Sequence, residues 1–282
     1  MKVALIGHGR WGKNIAQTLS GFPEVDLEIV ERGADASGTV DAVIIATPSA
    51  THAEIALPFV RAGVPVFIEK PMTTSLDDAL KIRDTAHASG SYVQIGHIHL
   101  HNAAFQKARN ILPMLGELRS VVSECMNNNP RTDASIFWDW LPHDLSMMLT
   151  IVGEGPSGVQ AISESGSGTY ATTLYRFKGV TLHSILSWES PHKRKCMTFV
   201  GEQGVLVFDD AKEKKLTLIL EGNTSYPDYA STLPLTAELS EFISAVKQGS
   251  CRTDSLTMGL NVVACISAAE ESVKRGGLYV RI

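Results

Sequence analysis

The sequence lacks long hydrophobic runs, closely spaced cysteines and a surplus of basic residues. No stretch reaches the roughly 18 apolar residues that a membrane span requires. The formal net charge of −5 disfavours nucleic acid or an anionic membrane surface as a partner. The four cysteines, Cys125, Cys196, Cys251 and Cys265, form no CxxC pair, which indicates reduced thiols rather than disulfides or a zinc site. We therefore expect a cytoplasmic protein with neither a membrane nor a nucleic-acid partner and no bound metal.

The N-terminal segment MKVALIGHGRWG passes directly into a folded pattern. Its apolar run is too short for a signal peptide, and no small-residue cleavage pattern follows it. The length of 282 residues is long for one domain and comfortable for two.

Two patterns of apolar residues divide the chain. In the first half, continuous Val/Ile/Leu runs such as KVALIG, DAVIIAT and PVFIEK alternate with helical patterns, which is typical of parallel strands covered on both faces. In the second half, segments such as TYATTLYRFKGV alternate apolar and polar residues between Gly, Asn and Ser turns, as antiparallel strands do. Helical patterns cover about 142–152, 237–248 and 256–275. The predicted fold class is α/β: an N-terminal Rossmann domain with a doubly wound parallel sheet (1–117), then a C-terminal α+β domain with a large, mostly antiparallel sheet (118–282).

The hexapeptide GHGRWG places Gly7, Gly9 and Gly12 in GxGxxG spacing. It follows a strand pattern and opens a helix pattern, which is the context of a dinucleotide-binding turn. The glycines permit a tight turn, close approach of the backbone to a pyrophosphate, and close helix packing. The alternative is a glycine-rich turn in a fold that has lost its cofactor.

Glu31 follows Gly12 by 19 residues, at the end of the second predicted strand. An acid about 20 residues beyond the turn binds the adenosine ribose of NAD, whereas a nearby arginine suits the phosphate of NADP. Since Arg32 follows Glu31, we expect NAD, with NADP as the alternative.

Three motifs together resemble the glucose–fructose oxidoreductase/inositol dehydrogenase (Gfo/Idh/MocA) family: GHGRWG, IIATPSATHAEIA (44–56) and EKP (69–71). The resemblance covers essentially the whole chain. In the second half, WDWLPHDLSMMLTIVGE (138–154), SWESPHKRK (187–195) and VGEQGVLVFDD (200–210) look most like the nucleotide-sugar branch, which includes UDP-N-acetylglucosaminuronate 3-dehydrogenases. One departure is that the short segment RGADASGTV after Glu31 leaves no room for a helix that the family normally has.

The resemblance implies roles for particular residues. Thr47 and Pro48 are expected beside the cofactor, Glu69 at the nicotinamide ribose, and Lys70 at the substrate hydroxyl or carbonyl; the Lys70–Pro71 bond is often cis in the family. The complete set of expected cofactor contacts is Gly7, Gly9, Arg10, Trp11, Gly12, Glu31, Arg32, Thr47, Pro48, His52, Glu69, Lys70 and Pro71.

The segment WDWLPHD (138–144) combines large apolar rings with ionisable groups. Because proline is tolerated in a first helical turn, Pro142 predicts that a helix begins here, with Asp139 at the N-cap and His143 one turn later. The resemblance implies catalysis by Asp139, His143 and Lys70. His143 would transfer the hydroxyl proton, Lys70 would hold the same oxygen, and Asp139 would orient the histidine. The alternative is a helix cap beside a core histidine, and Asp144 is interpreted as a first-turn acid.

HIHLH puts His97, His99 and His101 at strand spacing, which could bring them to one face as metal ligands. The favoured interpretation is that His97 and His101, together with Asn102, line a substrate or cofactor cleft. Arg131, Lys193 and Lys195 resemble basic positions of the nucleotide-sugar branch that would hold a pyrophosphate or a sugar carboxylate. For Lys193 and Lys195 the alternative is a solvated basic edge. Tyr170, Tyr175 and Trp188 are expected to pack in the sheet. The expected substrate contacts are Lys70, His97, His101, Asn102, Arg131, Asp139 and His143.

These features predict an NAD(P)-dependent oxidoreductase that acts on a ring secondary alcohol or ketone of a sugar, with a nucleotide sugar as the expected substrate. The alternatives are a free-sugar or inositol dehydrogenase, a glycosidase that retains NAD, and a cofactor-binding regulator without turnover. The resemblance also implies a homodimer or homotetramer formed through the C-terminal sheet.

Overall fold

The computed structural model describes residues 1–30, 40–163 and 168–282. They form two compact units, the first comprising Met1–Ile98 with Leu233–Val263 and the second comprising His99–Thr232 with Ala264–Ile282. These bounds differ from the expected division after residue 117, because part of the C-terminal region packs with the first unit. No helix in the described residues is long and apolar enough to cross a membrane.

Helices and strands alternate through the first unit, and strands predominate in the second. The helices are α1 (Arg10–Leu19), α2 (His52–Arg61), α3 (Leu76–Ser89), α4 (Ala103–Ile111), α5 (Ile136–Val152), α6 (Pro234–Lys247) and α7 (Asp254–Lys274). The strands are β1 (Lys2–Ile6), β2 (Asp26–Val30), β3 (Ala42–Ile45), β4 (Val66–Glu69), β5 (Val93–Gly96), β6 (Leu118–Met126), β7 (Gly158–Ser163), β8 (Tyr170–Arg176), β9 (Thr181–Ser187), β10 (Arg194–Gly201), β11 (Gly204–Asp209), β12 (Leu216–Leu220), β13 (Asn223–Ser225) and β14 (Val280–Arg281).

The first unit is built on a parallel sheet in the order β2-β1-β3-β4-β5. All four residues of β3, β4 and β5 are buried, as expected for strands covered on both faces. Helix α1 packs with α6, and α2 packs with α3. The Rossmann-type parallel sheet predicted from the alternating pattern is confirmed.

Helix α6 supplies one side of the core of the first unit. Leu239, Phe242 and Ile243 are spaced to lie on one helical face, and they are buried in a cluster with Val3, Leu5 and Ile44 of the sheet. Burying each of these large side chains contributes roughly 1.5–3 kcal/mol. This apolar stripe explains why a helix distant in the chain returns to the first sheet.

The ends of α3 follow its sequence signals. The Ser75 hydroxyl accepts a hydrogen bond from the backbone N–H of Asp78 at 3.3 Å, and Gly90 ends the helix in the left-handed conformation at φ +72°. The predicted end of this helix at Gly90 is confirmed.

The second unit contains a sheet in the order β13-β12-β11-β10-β6-β9-β8-β7-β14. Neighbouring strands in its described part are antiparallel except for β6 and β9, which are parallel. Alternate residues of β6 and β9 are buried, and α5 packs against β8 and β9. The prediction of a large, mostly antiparallel sheet is confirmed.

The predicted start of α5 was wrong. The helix begins at Ile136, the backbone N–H of Asp139 donates to Ser135 O at 3.1 Å, and Pro142 lies inside the helix. Asp139 is therefore a first-turn residue and not the N-cap. Proline removes one helical hydrogen bond, but 13 side chains of this 17-residue helix are buried, and their packing compensates for that loss.

The strand periodicity expected for HIHLH was also wrong. Residues Ile98–His101 form a 3-10 turn after β5. The backbone N–H of His97 turns back to donate to Ile95 O at 2.8 Å, so the histidines are not related by the two-residue repeat of a strand. His97, His99 and His101 thus have the spacing of a strand in the sequence but do not lie in one.

Candidate functional site

The turn after β1 packs tightly against the end of β3. Gly7 has φ +102°, and a Cβ at this position would lie 2.6 Å from the carbonyl carbon of Ala46 and 2.7 Å from the backbone nitrogen of Thr47. Only glycine accommodates both this conformation and this contact. The strand order reverses between β1 and β3, which is where open parallel sheets bind ligands.

The other two glycines of the motif have different roles. A Cβ on Gly12 would lie 2.0 Å from Gly7 O, so the absence of a side chain lets α1 pack on the turn. A Cβ on Gly9, the N-cap of α1, would meet nothing within 4 Å. Helix α1 has neither a side-chain cap nor an acidic residue in its first turn, so its first amides and positive dipole end are suited to an anion. The residues present therefore fit the pyrophosphate of a dinucleotide.

Glu69 ends β4 as a buried carboxyl, only 8% exposed. It accepts a hydrogen bond from Trp11 Nε1 at 2.6 Å on Oε1 and one from the Lys70 backbone N–H at 3.2 Å on Oε2. Burial raises the pKa of Glu69 to about 7, while the Trp11 hydrogen bond and the Lys70 charge oppose the shift. The Lys70–Pro71 bond that follows is cis. Trp11 of the glycine motif and the EKP motif are thus directly joined.

Glu238 on α6 is a fully buried carboxyl that the sequence analysis did not identify. The Gln94 side-chain amide donates to its backbone oxygen at 3.4 Å. Burial and the charge of Glu69 both raise the pKa of Glu238. The sequence does offer one indication of this burial, because Glu238 lies within the apolar stripe of an amphipathic helix. A carboxyl at such a position is stable only where the surroundings compensate for its burial.

His52 connects two of the expected cofactor segments. Its side chain is buried, with Nδ1 2.9 Å from Pro71 O and Nε2 2.9 Å from Thr47 O. Burial lowers the pKa of His52, and the two backbone carbonyls oppose the shift. Both ring nitrogens are therefore engaged within the protein, so we propose that His52 positions Thr47 and Pro71 rather than contacting the cofactor.

The remaining expected cofactor residues lie in different settings. The Thr47 hydroxyl accepts a hydrogen bond from Thr51 at 2.9 Å. Pro48 is exposed just before a 3-10 turn, and Arg10 is exposed at the start of α1. Glu31 and Arg32 lie outside the described residues, as does the shortened segment that follows them.

Asp139 is held in place by two donors from other parts of the second unit. Arg131 Nη1 lies 3.2 Å from Oδ1, and Trp188 Nε1 donates to Oδ2 at 3.2 Å. Arg131 also makes a bidentate pair with Asp133, at 2.9 and 2.7 Å. Trp188 is buried as expected for sheet packing, but its bond to Asp139 was not anticipated.

His143 lies one helical turn beyond Asp139, so both side chains project from the same side of α5. Its ring is 7% exposed and contacts the His99 ring edge-to-face, with centroids 4.7 Å apart. A role for His143 and Asp139 in proton transfer stays a prediction. The spacing predicted from the sequence holds although the predicted helix start does not.

Asp144 is not the first-turn acid that the sequence suggested, because α5 begins at Ile136. It is 1% exposed and accepts hydrogen bonds from Ser184 Oγ at 2.7 Å and Cys125 Sγ at 3.5 Å, which join α5 to β9 and β6. Burial raises the pKa of Asp144, and the hydroxyl and thiol donors oppose the shift. The sequence could not reveal this contact because its partners are distant in the chain.

Asn102 is buried, and both polar atoms of its side-chain amide form hydrogen bonds within the protein. Its Oδ1 accepts from the backbone N–H of Ala104 at 3.0 Å, which caps α4, and its Nδ2 donates to Asp210 at 3.0 Å. We therefore propose a positioning role for Asn102 rather than substrate contact. His97 is buried and His101 is partly buried, and a role for either in binding stays a prediction.

Tyr175 is fully buried, and its hydroxyl donates to Cys265 O at 3.1 Å, which agrees with packing of the sheet. Tyr170 and Lys193 are exposed. Within the described residues, no group of three or more His, Cys, Asp or Glu side chains is arranged to hold a metal ion.

Comparison with known proteins identifies the fold and the cofactor class. The sequence model of an oxidoreductase family with an NAD-binding Rossmann fold matches residues 24–97, and that of the GFO/IDH/MocA C-terminal domain matches residues 94–207. The crystal structure of an inferred oxidoreductase from Magnetospirillum magnetotacticum MS-1 is 32% identical, covers 95% of this chain and 99% of its own, and superimposes with a TM-score of 0.85. The chain belongs to the Gfo/Idh/MocA family.

Within the Gfo/Idh/MocA family, the curated relatives act on different substrates. Inositol 2-dehydrogenase 3 of Saccharopolyspora erythraea is 34% identical over 109 residues, which are 38% of this chain and 32% of that protein. UDP-N-acetylglucosamine 3-dehydrogenase of Acidithiobacillus ferrooxidans is 33% identical over 143 residues, which are 50% of this chain and 42% of that protein. These alignments thus span less than half of each of the two relatives. The expected family and its NAD-binding Rossmann fold are confirmed.

Proposed function

We propose that this chain is an NAD(P)-dependent oxidoreductase that transfers a hydride to or from a secondary alcohol or ketone on a sugar ring, with a nucleotide sugar as substrate. The observation that carries the proposal is the glycine turn. Gly7 and Gly12 are required by their contacts, whereas Gly9 leaves open space at the start of α1. A packed turn that binds no ligand has no need for glycine at the position of Gly9.

Bound NAD(P) would supply the hydride acceptor or donor, and side chains of this protein would move the proton. His143 is proposed to take the hydroxyl proton during oxidation and to return it during reduction. Asp139, restrained by Arg131 and Trp188, would orient His143 and stabilise its protonated form. Lys70 is proposed to hydrogen-bond the same substrate oxygen and to offset its developing negative charge.

The second candidate function is an inositol or free-sugar dehydrogenase, favoured by the similarity to an inositol 2-dehydrogenase. The two candidates differ in whether the substrate carries a nucleotide. Purified protein should therefore be assayed for reduction of NAD⁺ and NADP⁺ with UDP-sugars, free sugars and myo-inositol. Reduction with UDP-sugars supports the first candidate, and reduction with myo-inositol alone supports the second.

The His143→Ala variant separates cofactor binding from the chemical step. It should bind NADH as the wild type does but fail to reduce NAD⁺ with the same substrate. A wild-type protein that binds NADH yet shows no turnover with any member of this panel, and whose Lys70→Ala variant is indistinguishable from it in cells, would support a cofactor-binding regulator instead.

We also propose a homodimer or homotetramer formed through the face of the second sheet opposite α5. This face carries partly buried side chains at matched positions of neighbouring strands, including Val122, His183, Thr198 and Val207. Sedimentation of the purified protein tests the proposal, because a monomer at micromolar concentration would contradict it. Residence in the cytoplasm stays a prediction from the cysteine pattern.

A further inference from the structure

His99, the central histidine of HIHLH, has no role in the proposed function. Its side chain is buried, and its ring packs edge-to-face against the ring of His143. The two ring centroids lie 4.7 Å apart, and the ring planes are inclined by 76°. The contact joins two segments of the second unit, the one that begins at His99 and helix α5.

The His99–His143 contact is the end of an aromatic row formed by Phe105, Phe208, His99 and His143. The centroid of the His99 ring lies 6.4 Å from that of Phe208 on β11, which lies 6.0 Å from that of Phe105 on α4. Fractional exposure rises along the row from 1% at Phe105 through 2% and 4% to 7% at His143. His143 is therefore the outermost ring, and His99 is held between His143 and Phe208.

A ring packed in this way restricts the orientation of its neighbour. The last side-chain torsion of histidine has only a broad intrinsic preference, so the surrounding packing must fix the ring plane. In an edge-to-face pair the positive edge of one ring meets the negative face of the other, and rotation of either ring weakens the contact. A proton carrier requires a fixed plane, because one ring nitrogen must lie about 2.6–3.2 Å from the reacting oxygen.

We propose that His99 is a positioning residue that fixes the ring plane of His143 for proton transfer. The proposal rests on the proposed function, in which His143 carries the substrate proton. It assigns the effect to the ring of His99 and not to its nitrogen atoms, so a phenyl ring at this position should serve equally. Rings farther along the aromatic row support His99 and should matter less for catalysis.

The test is a steady-state assay of the full-length protein, using whichever UDP-sugar, free sugar or myo-inositol the wild type oxidises. His99→Leu removes the ring but keeps an apolar side chain, and His99→Phe keeps a ring that cannot carry a proton. Phe105→Leu is the matched control, because it removes a buried ring at the far end of the same row. Thermal unfolding of each variant is measured in parallel, and activity is assayed well below every Tm.

His99→Leu should lower kcat about 3- to 10-fold, the value of one edge-to-face ring contact. It should leave KM and the Kd for NADH within about twofold of the wild type, because the contact acts on the chemical step. His99→Phe should restore most of the lost kcat. Phe105→Leu should lower the Tm but keep the wild-type kcat.

A second measurement does not require turnover. The ¹H–¹³C NMR signal of the His143 ring can be assigned by its absence in His143→Ala, and the ring current of a packed neighbour shifts such a signal. His99→Leu should move this signal toward the position of an exposed histidine, whereas Phe105→Leu should leave it in place.

The proposal is overturned if His99→Leu keeps the wild-type kcat, if His99→Phe fails to restore it, or if Phe105→Leu lowers it equally. An identical His143 signal in His99→Leu and the wild type would also overturn it. Each of these results leaves the proposed function intact when the wild type turns over. A wild-type protein that oxidises no member of the panel would reject the proposed function and the positioning role together.

Discussion

Replacing Gly9 by alanine should separate cofactor binding from folding. A Cβ at this position meets no atom within 4 Å, and the backbone at φ −72° is accessible to alanine. Alanine restricts the unfolded chain, which stabilises by about 0.4–1 kcal/mol, but it is a poorer N-cap than glycine. The free energy of unfolding should therefore change by less than about 1 kcal/mol.

The Gly9→Ala substitution should weaken binding of the cofactor. A phosphate oxygen bound to a backbone N–H lies about 2.7–3.2 Å from the nitrogen, and a methyl group in the open space would hold it farther away. Losing one hydrogen bond to a charged group costs about 1.5–3 kcal/mol. The Kd for NADH should accordingly rise about 10- to 100-fold.

Gly12→Ala is the contrasting variant. Its Cβ would lie 2.0 Å from Gly7 O, far inside a normal contact of about 3.5 Å, so α1 must shift. Overpacking of this kind costs about 1–3 kcal/mol, which should lower the Tm by about 2 °C or more. Fluorescence titration with NADH and thermal unfolding would be compared for both variants. Wild-type NADH affinity in Gly9→Ala would refute the assigned role of the turn.

Three further predictions follow from buried or reacting groups. His52→Leu removes the imidazole that lies within 2.9 Å of the Pro71 and Thr47 carbonyl oxygens and donates to one of them. It should lower the free energy of unfolding measured in urea by about 1–3 kcal/mol, whereas His87→Leu at an exposed position should not; equal effects would contradict the bridging role. His143→Ala should lower kcat about 10²- to 10⁴-fold without changing NADH affinity, and an unchanged kcat would exclude His143 as the proton carrier. Because the pKa of Glu69 is raised to about 7 in the folded protein, its contribution to stability is present below its ordinary pKa and is lost as pH rises through about 7, at up to about 1.4 kcal/mol per pH unit. Urea unfolding of the apo protein should show this decline relative to Glu69→Gln, and parallel pH profiles would contradict it.

Features that depend on local geometry could be predicted from the sequence. The tight packing at Gly7 and Gly12 follows from their spacing after a strand. Gly90 ends α3 because glycine accepts a positive φ. The placement of Asp139 and His143 on one side of a helix depends only on helical periodicity. It was therefore predicted correctly even though α5 starts earlier than expected.

Features that depend on distant contacts could not be predicted. Pro142 usually marks a helix start, but burial of most of α5 outweighs its lost hydrogen bond. Asp144 is buried because Ser184 and Cys125 meet it across the sheet. Helix α6 returns to the first unit because its apolar stripe fits that sheet. In each case tertiary packing overrides a local preference.

Equilibrium titration of the purified protein with NADH and with NADPH, followed by nicotinamide fluorescence, tests whether the glycine turn binds a dinucleotide. At least one dinucleotide should bind saturably, with an affinity that is weakened in Gly9→Ala and unchanged in His143→Ala. Binding of neither dinucleotide would contradict the assignment of the glycine turn and, with it, the proposed oxidoreductase activity.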